Sequence, residues 1–495
     1  MPTAGMTVRY AGHRFTTVSF ASAFSVDRQR RVRIAETARK RRQMHPAPSI
    51  LFPRGRPSAD RGRMAGSGGH RTGTVRSGGH RRVFHSRYRH GYTPCLRPRS
   101  KSRIDGGRLK ILFIPNAGAV VPHLAPLMAL ALKLDPVAHE VGFLAPARFH
   151  ASVRALGKQV LDIDYRPERA FQDEMSACTR FRPDVIVDDF SLVTLLTATL
   201  MDLPRVTIAR TGAFPGYVPR DANHCHSCES IARFDFAANF SESESCFGIP
   251  APESFADVCA AHASIVPGIA SIEQLPFDAD DRPDFFFSGA LDLPDRLMPI
   301  PDGRTRPDEA AMSEFFERHA QRRIVFVTLG SVLAPSDSIR RAILHMLDAG
   351  VAVVSTVGMT DLPAGYDRLF HYAPFVPMHA VCSRVDMMVH HCGSGTYQYA
   401  ILHGLPSLCI GSGFYDRDDI GRRLHELGVG RFIPGDDAAL FVETFRDGFD
   451  ACIDPSSAWH AQAMRRLDAL KRENDLASRR FDLESILNEV VRTCV

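Results

Sequence analysis

The sequence predicts an α/β protein with two doubly wound, Rossmann-like domains, preceded by a disordered basic tail. From Leu109 onward, short apolar runs alternate with helical stretches, and strand–helix–strand alternation at this spacing is typical of a parallel sheet. A Pro- and Asp-rich stretch, residues 276–307, interrupts this rhythm before it resumes. We therefore expect a tail over 1–107, a first domain over 108–300 and a second domain over 301–495.

The tail is defined by its charge and composition. Residues 1–107 hold 24 Lys and Arg but only 4 Asp and Glu, which leaves 37 and 51 for the remainder, a net charge of −14. The tail is also rich in Gly, Ser, Pro and His, and it contains the near-repeat SGGHRTGTVRSGGHRR. Such a composition cannot bury a core, so we expect disorder.

Three interpretations of the tail stay open: a nucleic-acid or membrane-surface arm, an Arg-rich targeting segment, or sequence upstream of the true translation start. No apolar segment follows Met1, and no run of about 18 apolar residues occurs, so neither a secretory signal nor a membrane span is expected. We expect a cytoplasmic protein whose folded body binds no nucleic acid.

The cysteines indicate reduced thiols. Eleven of them are scattered at irregular spacing, which does not suggest a disulfide framework. His224, Cys225, His226 and Cys228 look like half of a zinc site, with Cys246 nearby, but no second pair completes the four ligands of a structural zinc. A polar surface loop without a metal is the expectation there.

The first domain opens with the buried strand LKILFIP (109–115), followed by an amphipathic helix over 123–134 and the strand HEVGFLAP (139–146). The runs DVIVDD (184–189) and RVTIA (205–209) continue the series, with apolar helices between them. These segments predict the first parallel sheet.

Four further apolar runs predict the second sheet. They are RIVFVTLGS (323–331), VAVVST (351–356), VDMMVHH (385–391) and LPSLCIG (405–411). Ligands of such sheets bind outside the carboxyl ends of the strands, where glycine-rich turns lead into helices.

The turn HHCGSGT, residues 390–396, fits that position. Gly393 and Gly395 let the backbone approach a ligand before a helix begins near Thr396. Backbone amides and the positive end of the helix dipole form an anion site suited to a diphosphate, and His391 adds a side-chain donor.

Five motifs, in order, resemble the family 1 nucleotide-sugar glycosyltransferases, which have the GT-B fold of two such domains facing a cleft. The resemblance runs from about Leu109 to the C-terminus. The motifs are VTLGS (327–331), APFVPMHAV (373–381), DMMVHHCGSGT (386–396), HGLPSL (403–408) and RRLHELGVG (422–430).

The resemblance implies a donor site in the second domain. Its diphosphate-binding residues would be His391, Gly393, Ser394, Gly395 and Thr396, with Ser331 facing them from another loop. Phe375 would stack on the base, as an aromatic face suits a flat base, or else fill a core, and the Val376 backbone would bond the base edge.

Two positions depart from the family pattern. Tyr399 stands where plant members carry a carboxylate for the ribose. Asp416 and Arg417 stand where members carry Asp-Gln, and arginine cannot accept a hydrogen bond. Arg417 therefore either turns toward Asp418 or Asp419 or reads an unusual sugar.

The first domain contains the implied base. PHLAPLMALALKL (122–134) resembles the family's GH-x-x-P segment, with Pro122 in place of glycine and His123 as the base histidine. In PDVIVDDFSL (183–192), Asp189 matches the aspartate that orients this histidine better than Asp188 does. Segment 212–257 would line the acceptor site. Its aromatic residues could stack on an apolar acceptor or could instead fill a core; they are Phe214, Tyr217, Phe234, Phe236 and Phe240.

The implied activity is an inverting, metal-independent hexosyl or pentosyl transfer from a UDP- or dTDP-sugar to a hydroxyl of a small natural-product or lipid-like acceptor. The nucleotide sugar is a co-substrate, and no cofactor is expected. A nucleotide-sugar epimerase and a non-catalytic nucleotide-sugar-binding protein remain the alternatives. The sequence names neither sugar nor acceptor, nor an oligomeric state.

Overall fold

A computed structural model describes residues 9–10, 13–14, 108–116, 120–220, 240, 247–278, 281–300, 305–330, 336–435 and 438–494. In the tail, Arg9–Tyr10 pairs antiparallel with His13–Arg14. The other tail residues lie outside this description, so disorder of the tail stays a prediction.

The first domain is built on a seven-stranded sheet whose neighbouring strands all run parallel. Its strands are β1 (Leu109–Ile114), β2 (His139–Phe143), β3 (Gln159–Val160), β4 (Val185–Asp189), β5 (Arg205–Ile208), β6 (Ala263–Val266) and β7 (Phe285–Phe287), in the spatial order β3-β2-β1-β4-β5-β6-β7. Its helices are α1 (Val120–Leu132), α2 (His150–Arg154), α3 (Ala170–Phe181), α4 (Leu192–Met201) and α5 (Phe255–Val258), with 3-10 turns at Ala147–Phe149 and Pro167–Arg169.

Strand β1 shows why this sheet is covered on both faces. Ile111 and Phe113 join one core with helix α1, whereas Leu112 and Ile114 join a second core with α3. Successive side chains of a strand point to opposite faces, so a strand that is apolar throughout needs helices on both sides. The order of the strands reverses between β1 and β4, which is where a doubly wound sheet binds its ligand.

The second domain repeats this design with six parallel strands. Its strands are β8 (Ile324–Thr328), β9 (Ala352–Ser355), β10 (Phe370–Tyr372), β11 (Met387–His390), β12 (Ser407–Ile410) and β13 (Gly430–Ile433), in the order β10-β9-β8-β11-β12-β13. Its helices are α6 (Glu309–Arg318), α7 (Asp337–Asp348), α8 (Met378–Cys382), α9 (Ser394–His403), α10 (Tyr415–Glu426), α11 (Ala438–Ile453), α12 (Ala458–Arg480) and α13 (Leu483–Cys494), after a 3-10 turn at Asp295–Leu297.

The two predicted doubly wound sheets are confirmed, and the strand bounds differ by one or two residues at most ends. The interruption predicted over 276–307 is only partly irregular, because β7 lies inside it and pairs with β6. Three residues are too few to show a periodic pattern, so this edge strand is invisible in the sequence.

The last helix returns to the first domain. Five apolar residues of α13 pack into the core formed by β1, β2 and α1: Leu483, Ile486, Leu487, Val490 and Val491. The C-terminus therefore ties the second domain to the first. None of the described helices combines the length and apolar character that crossing a membrane requires.

Candidate functional site

The two residues implied as base and orienting acid lie together. His123 is in the first turn of α1, and Asp189 is the last residue of β4. Nδ1 of His123 is 3.2 Å from Oδ1 of Asp189, and their side chains are 20% and 0% exposed. The histidine can thus reach a ligand while the carboxylate holds its ring from behind.

Arg210, which follows β5, binds the same carboxylate with two hydrogen bonds. Its Nη2 donates to Oδ2 of Asp189 at 2.6 Å, and its Nη1 donates to Oδ1. Burial opposes ionisation of Asp189, but the charges of Arg210 and His123 outweigh it, so the pKa of Asp189 lies below its usual value. Asp189 is therefore a carboxylate at neutral pH.

Asp188 has a different surrounding. Both of its carboxylate oxygens accept from Arg205, at 2.8 and 2.9 Å, and Oδ2 also accepts from the Ser191 amide. Arg205 in turn donates to the Val258 carbonyl at 2.7 Å. This fully buried network joins β4 to β5 and gives Asp188 no contact with His123.

In the second domain, His391 lies directly after β11 and is only 3% exposed. Gly330, with φ of 63°, makes room for it, because a Cβ at this position would come within 2.6 Å of the imidazole Cε1. The Nδ1 atom of His391 has no hydrogen-bond partner among the described residues. The ring is thus wedged between the loop after β8 and the turn at Gly393.

His391 is a neutral donor in this setting. Burial first, and then the positive charge of Arg417, hold the pKa of His391 well below its usual range. A neutral imidazole carries one N–H, and the ring also has a hydrogen bond to the Thr328 backbone. The ring can donate to an anion, without bringing a charge of its own, when this N–H is not given to Thr328.

Helix α9 presents its positive end at the same turn. It begins at Ser394, and no side chain caps it, because the N-cap residue is Gly393. The amides of Thr396 and Tyr397 bond to the Gly393 carbonyl, at 2.7 and 3.1 Å. An uncapped helix start leaves its first amides available to an anion.

Asp416 and Arg417 lie in the first turn of α10. The Arg417 guanidinium lies 4.7 Å from the Phe414 ring centre, and its Nη1 is buried without a hydrogen-bond partner among the described residues. Burial raises the pKa of Asp416, against the charges of Arg417 and Arg210.

The predicted turn of Arg417 toward a neighbouring acid is not observed. Asp418 accepts from the Ser412 amide and hydroxyl and from the Gly413 amide. Asp419 accepts from the Tyr217 hydroxyl and the Arg220 amide.

The remaining residues that the resemblance implies for a donor site have contrasting positions. Phe375 is half-buried, whereas Val376 beside it is buried in the core under β8 and β9. Tyr399 is buried in that core with its ring edge on His379, so its side chain fills the protein interior. Ser331 lies outside the described residues.

One buried carboxylate connects the two domains at this place. Glu273, which follows β6, accepts a 2.7 Å hydrogen bond from the Tyr397 hydroxyl of α9. It also accepts from the hydroxyl of Thr211, the residue after Arg210. Glu273 therefore links the segment that carries Arg210 to the helix that begins at the turn around Gly393.

The aromatics proposed for an acceptor divide into three groups. Phe214 and Phe240 are buried in the interior, and Tyr217 donates its hydroxyl to Asp419 of α10. Phe234 and Phe236 lie outside the described residues, as does the suggested half zinc site of His224, Cys225, His226, Cys228 and Cys246. Those interpretations stay predictions.

A different cluster has metal-ligand chemistry. The ligand atoms of His390, Cys392 and Cys409 lie within 4.8 Å of one another and are buried. Nδ1 of His390 already accepts from the Cys392 amide at 3.1 Å, and its Nε2 bonds with Ser407 Oγ at 3.0 Å. Because both ring nitrogens are engaged, we interpret the cluster as packing beneath the turn.

Sequence reasoning missed Arg210 and Glu273. Arg210 follows the predicted strand RVTIA at its carboxyl end, so the rule that singles out Asp189 applies to it equally. Glu273 lies in an irregular loop and has no sequence signal.

Comparison with known proteins agrees with this arrangement. Residues 338–451 match the family described as Erythromycin biosynthesis protein CIII-like, C-terminal domain. The 10-deoxymethynolide desosaminyltransferase of Streptomyces venezuelae is 28% identical over 123 residues, which are 24% of this chain and 28% of that protein. The aklavinone 7-beta-L-rhodosaminyltransferase of Streptomyces galilaeus is 26% identical over 170 residues, 33% of this chain and 38% of its own. These matches thus span well under half of each relative.

Solved structures show the same fold over a larger part of the chain. Spinosyn forosaminyltransferase superimposes with a TM-score of 0.56 at 17% identity, covering 78% of this chain and 100% of that one. The Medicago truncatula protein complexed with UDP-glucose gives 0.58 at 15% identity, with 78% and 98% covered. The chain thus has the GT-B fold, and residues 338–451 of its second domain resemble the EryCIII-like C-terminal domain.

Proposed function

We propose that this protein transfers a sugar from a UDP- or dTDP-sugar to a hydroxyl of a small natural-product or lipid-like acceptor, with inversion at the anomeric carbon. The observation that carries the proposal is the bonded chain Thr211–Glu273–Tyr397, which joins the His123–Asp189 side of the first domain to the anion-binding helix of the second. The relatives named above as desosaminyl- and rhodosaminyltransferases support a sugar-transfer role.

The second domain would bind the donor. The first amides of α9, its helix dipole and the neutral His391 all favour a diphosphate, and the cation of Arg417 lies beside them. These groups can offset the charge that develops on the leaving diphosphate, so the proposed transfer needs no divalent metal. Structures of similar fold contain UDP-glucose or dTDP, which fits a donor of this class.

The first domain would activate the acceptor. An alcohol is a poor nucleophile at neutral pH, and a histidine within hydrogen-bond reach can take its proton. Nε2 of His123 accepts that proton while Asp189 holds the Nδ1 side of the ring. As the acceptor oxygen bonds to the anomeric carbon, the bond from that carbon to the phosphate oxygen breaks, and the diphosphate leaves with the electron pair. Attack in line with the leaving group inverts the centre.

The experiment is incubation of the purified chain with a panel of UDP- and dTDP-sugars, with and without mixed hydroxylated acceptors, followed by mass spectrometry. We expect a glycosylated acceptor that forms only when both substrates are present and forms equally in EDTA. An altered sugar without acceptor would indicate the epimerase. Binding of nucleotide sugars without any product would indicate the non-catalytic protein.

A further inference from the structure

The guanidinium of Arg210 lies behind the proposed base. We propose that Arg210 is a positioning residue that holds Asp189 against His123 and lowers the affinity of the His123 ring for a proton. This inference rests on the proposed function, in which His123 is the base.

Arg210 forms a bidentate hydrogen-bonded ion pair with the carboxylate of Asp189. Both of its terminal nitrogens donate to Asp189, one to each oxygen. A planar fork of this kind fixes the plane of the carboxylate as well as its position. The side chain of Asp189 is fully buried, so no water competes for these bonds, and its Oδ1 is directed at His123.

The same geometry places two nitrogens beside one oxygen. Nη1 of Arg210 and Nδ1 of His123 both reach Oδ1 of Asp189, and they lie 3.5 Å from each other. An arginine keeps its charge at every relevant pH. A proton taken up by His123 therefore creates a second cation beside the first, with one carboxylate between them.

Other charged residues act on Arg210 as well as on His123. Two charged groups contact His123: Asp189 at the end of β4 and Arg210 after β5. Asp416 of α10 and Glu273 act on Arg210, and Asp189 has the larger effect on it. The carboxylates therefore stabilise the Arg210 cation in place, which keeps it next to the base.

An isolated carboxylate beside a histidine raises the affinity of the ring for a proton, because it favours the charged form. Arg210 cancels much of that effect while preserving the orientation of the ring. Removing the Arg210 cation while Asp189 stays should therefore favour the protonated ring, which cannot act as a base.

The test is the pH midpoint of His123 protonation, followed by NMR of the imidazole carbon and assigned with the His123→Gln spectrum. We expect Arg210→Gln to raise this midpoint by about one pH unit or more, a tenfold gain in proton affinity. Arg205→Gln is the matched control, because Arg205 also donates two hydrogen bonds to a buried aspartate, Asp188, one residue away, through its Nε and Nη2. A general loosening of the sheet edge would change the pH midpoint in both variants. We expect no change of the midpoint in Arg205→Gln.

A second pair of variants covers the case in which Arg210→Gln leaves Asp189 uncompensated and unfolds the chain. We expect the midpoint to be lower in Asp189→Asn than in Asp189→Asn combined with Arg210→Gln, since only the single variant retains the cation. Equal midpoints in this pair, or an unchanged midpoint in folded Arg210→Gln, would overturn the inference. The measurement needs no turnover, so a wild-type protein inactive on every substrate would refute the proposed function separately.

Discussion

The hydroxyl of Tyr397 donates a 2.7 Å hydrogen bond to Oε1 of Glu273, and both side chains are buried. Tyr397 is one turn inside helix α9, which starts at the turn proposed to bind the diphosphate, and the other oxygen of Glu273 accepts from Thr211. A displacement of helix α9 would therefore move the segment that carries Arg210.

This bond predicts a stability effect. Tyr397→Phe keeps the ring but removes the donor, and it leaves one oxygen of a buried carboxylate without its partner. We expect the free energy of unfolding to fall by about 1–3 kcal/mol in urea titrations. Tyr372→Phe, at a half-exposed tyrosine of β10, is the control and should change little. A Tyr397→Phe protein as stable as wild type would show that the bond is not formed.

The wedged imidazole predicts a binding effect. We expect His391→Ala to weaken UDP or dTDP binding by about 1.5–3 kcal/mol, the usual contribution of a hydrogen bond to a charged group. Calorimetry measures this directly. His150→Ala, in the first domain, should bind as wild type does. Unchanged affinity in a folded His391→Ala protein would remove His391 from the donor site.

The buried Nη1 of Arg417, which has no hydrogen-bond partner among the described residues, predicts an effect on donor choice. Arg417 cannot accept a hydrogen bond from a sugar hydroxyl, and its buried Nη1 needs an acceptor. We expect Arg417→Gln to change the ranking of nucleotide sugars in a competition assay. Arg422→Gln is the matched control, because Arg422 is also on α10 and its guanidinium also lies over an aromatic ring, that of Phe432 in β13. If Arg417→Gln and Arg422→Gln rank the nucleotide sugars in the same order, a role for Arg417 in sugar recognition is contradicted.

A buried acid in the first domain predicts a pH dependence of stability. Glu174 accepts from the Tyr165 hydroxyl at 2.7 Å and from Thr194 Oγ1 at 3.1 Å, and burial raises its pKa from 4.5 to about 7. The folded protein thus holds a proton that the unfolded chain releases, so this contribution to stability is lost as the pH rises from 4.5 to about 7.

Glu174→Gln should remove that dependence. We expect the variant to match wild type near pH 4.5 and to exceed it by up to about 3 kcal/mol at pH 8, from chemical unfolding at each pH. Glu168→Gln, at an exposed acid nearby, is the control. Parallel stability–pH curves for Glu174→Gln and wild type would contradict the raised pKa.

How far the fold can be predicted depends on burial. The central strands β1, β4, β8 and β11 are buried on both faces, so their sequences are continuous apolar runs that cannot be mistaken for loops. The edge strands β3, β7 and β10 have two or three residues each, and they are specified by their neighbours in the sheet instead of by their own pattern.

The residues of the candidate site also divide into those that the sequence can predict and those that it cannot. His123, Asp189 and the turn around His391 lie at carboxyl ends of predictable strands, so the rule for doubly wound sheets indicates them directly. That rule also indicates Arg210, which follows β5 at its carboxyl end, but it does not say which of the two neighbouring aspartates Arg210 binds. Only the structure shows that Arg205 grips Asp188 and Arg210 grips Asp189.

His123 is proposed to be the base of an inverting sugar transfer. The most direct measurement compares turnover of wild-type and His123→Ala protein on the same donor and acceptor, with donor affinity determined in parallel and the product's anomeric configuration assigned by NMR. We predict a loss of about 10²–10⁴ in turnover, unchanged donor affinity, a smaller loss for Asp189→Asn, and an inverted product. Near wild-type turnover by His123→Ala, or a product that retains the donor's anomeric configuration, would contradict the account.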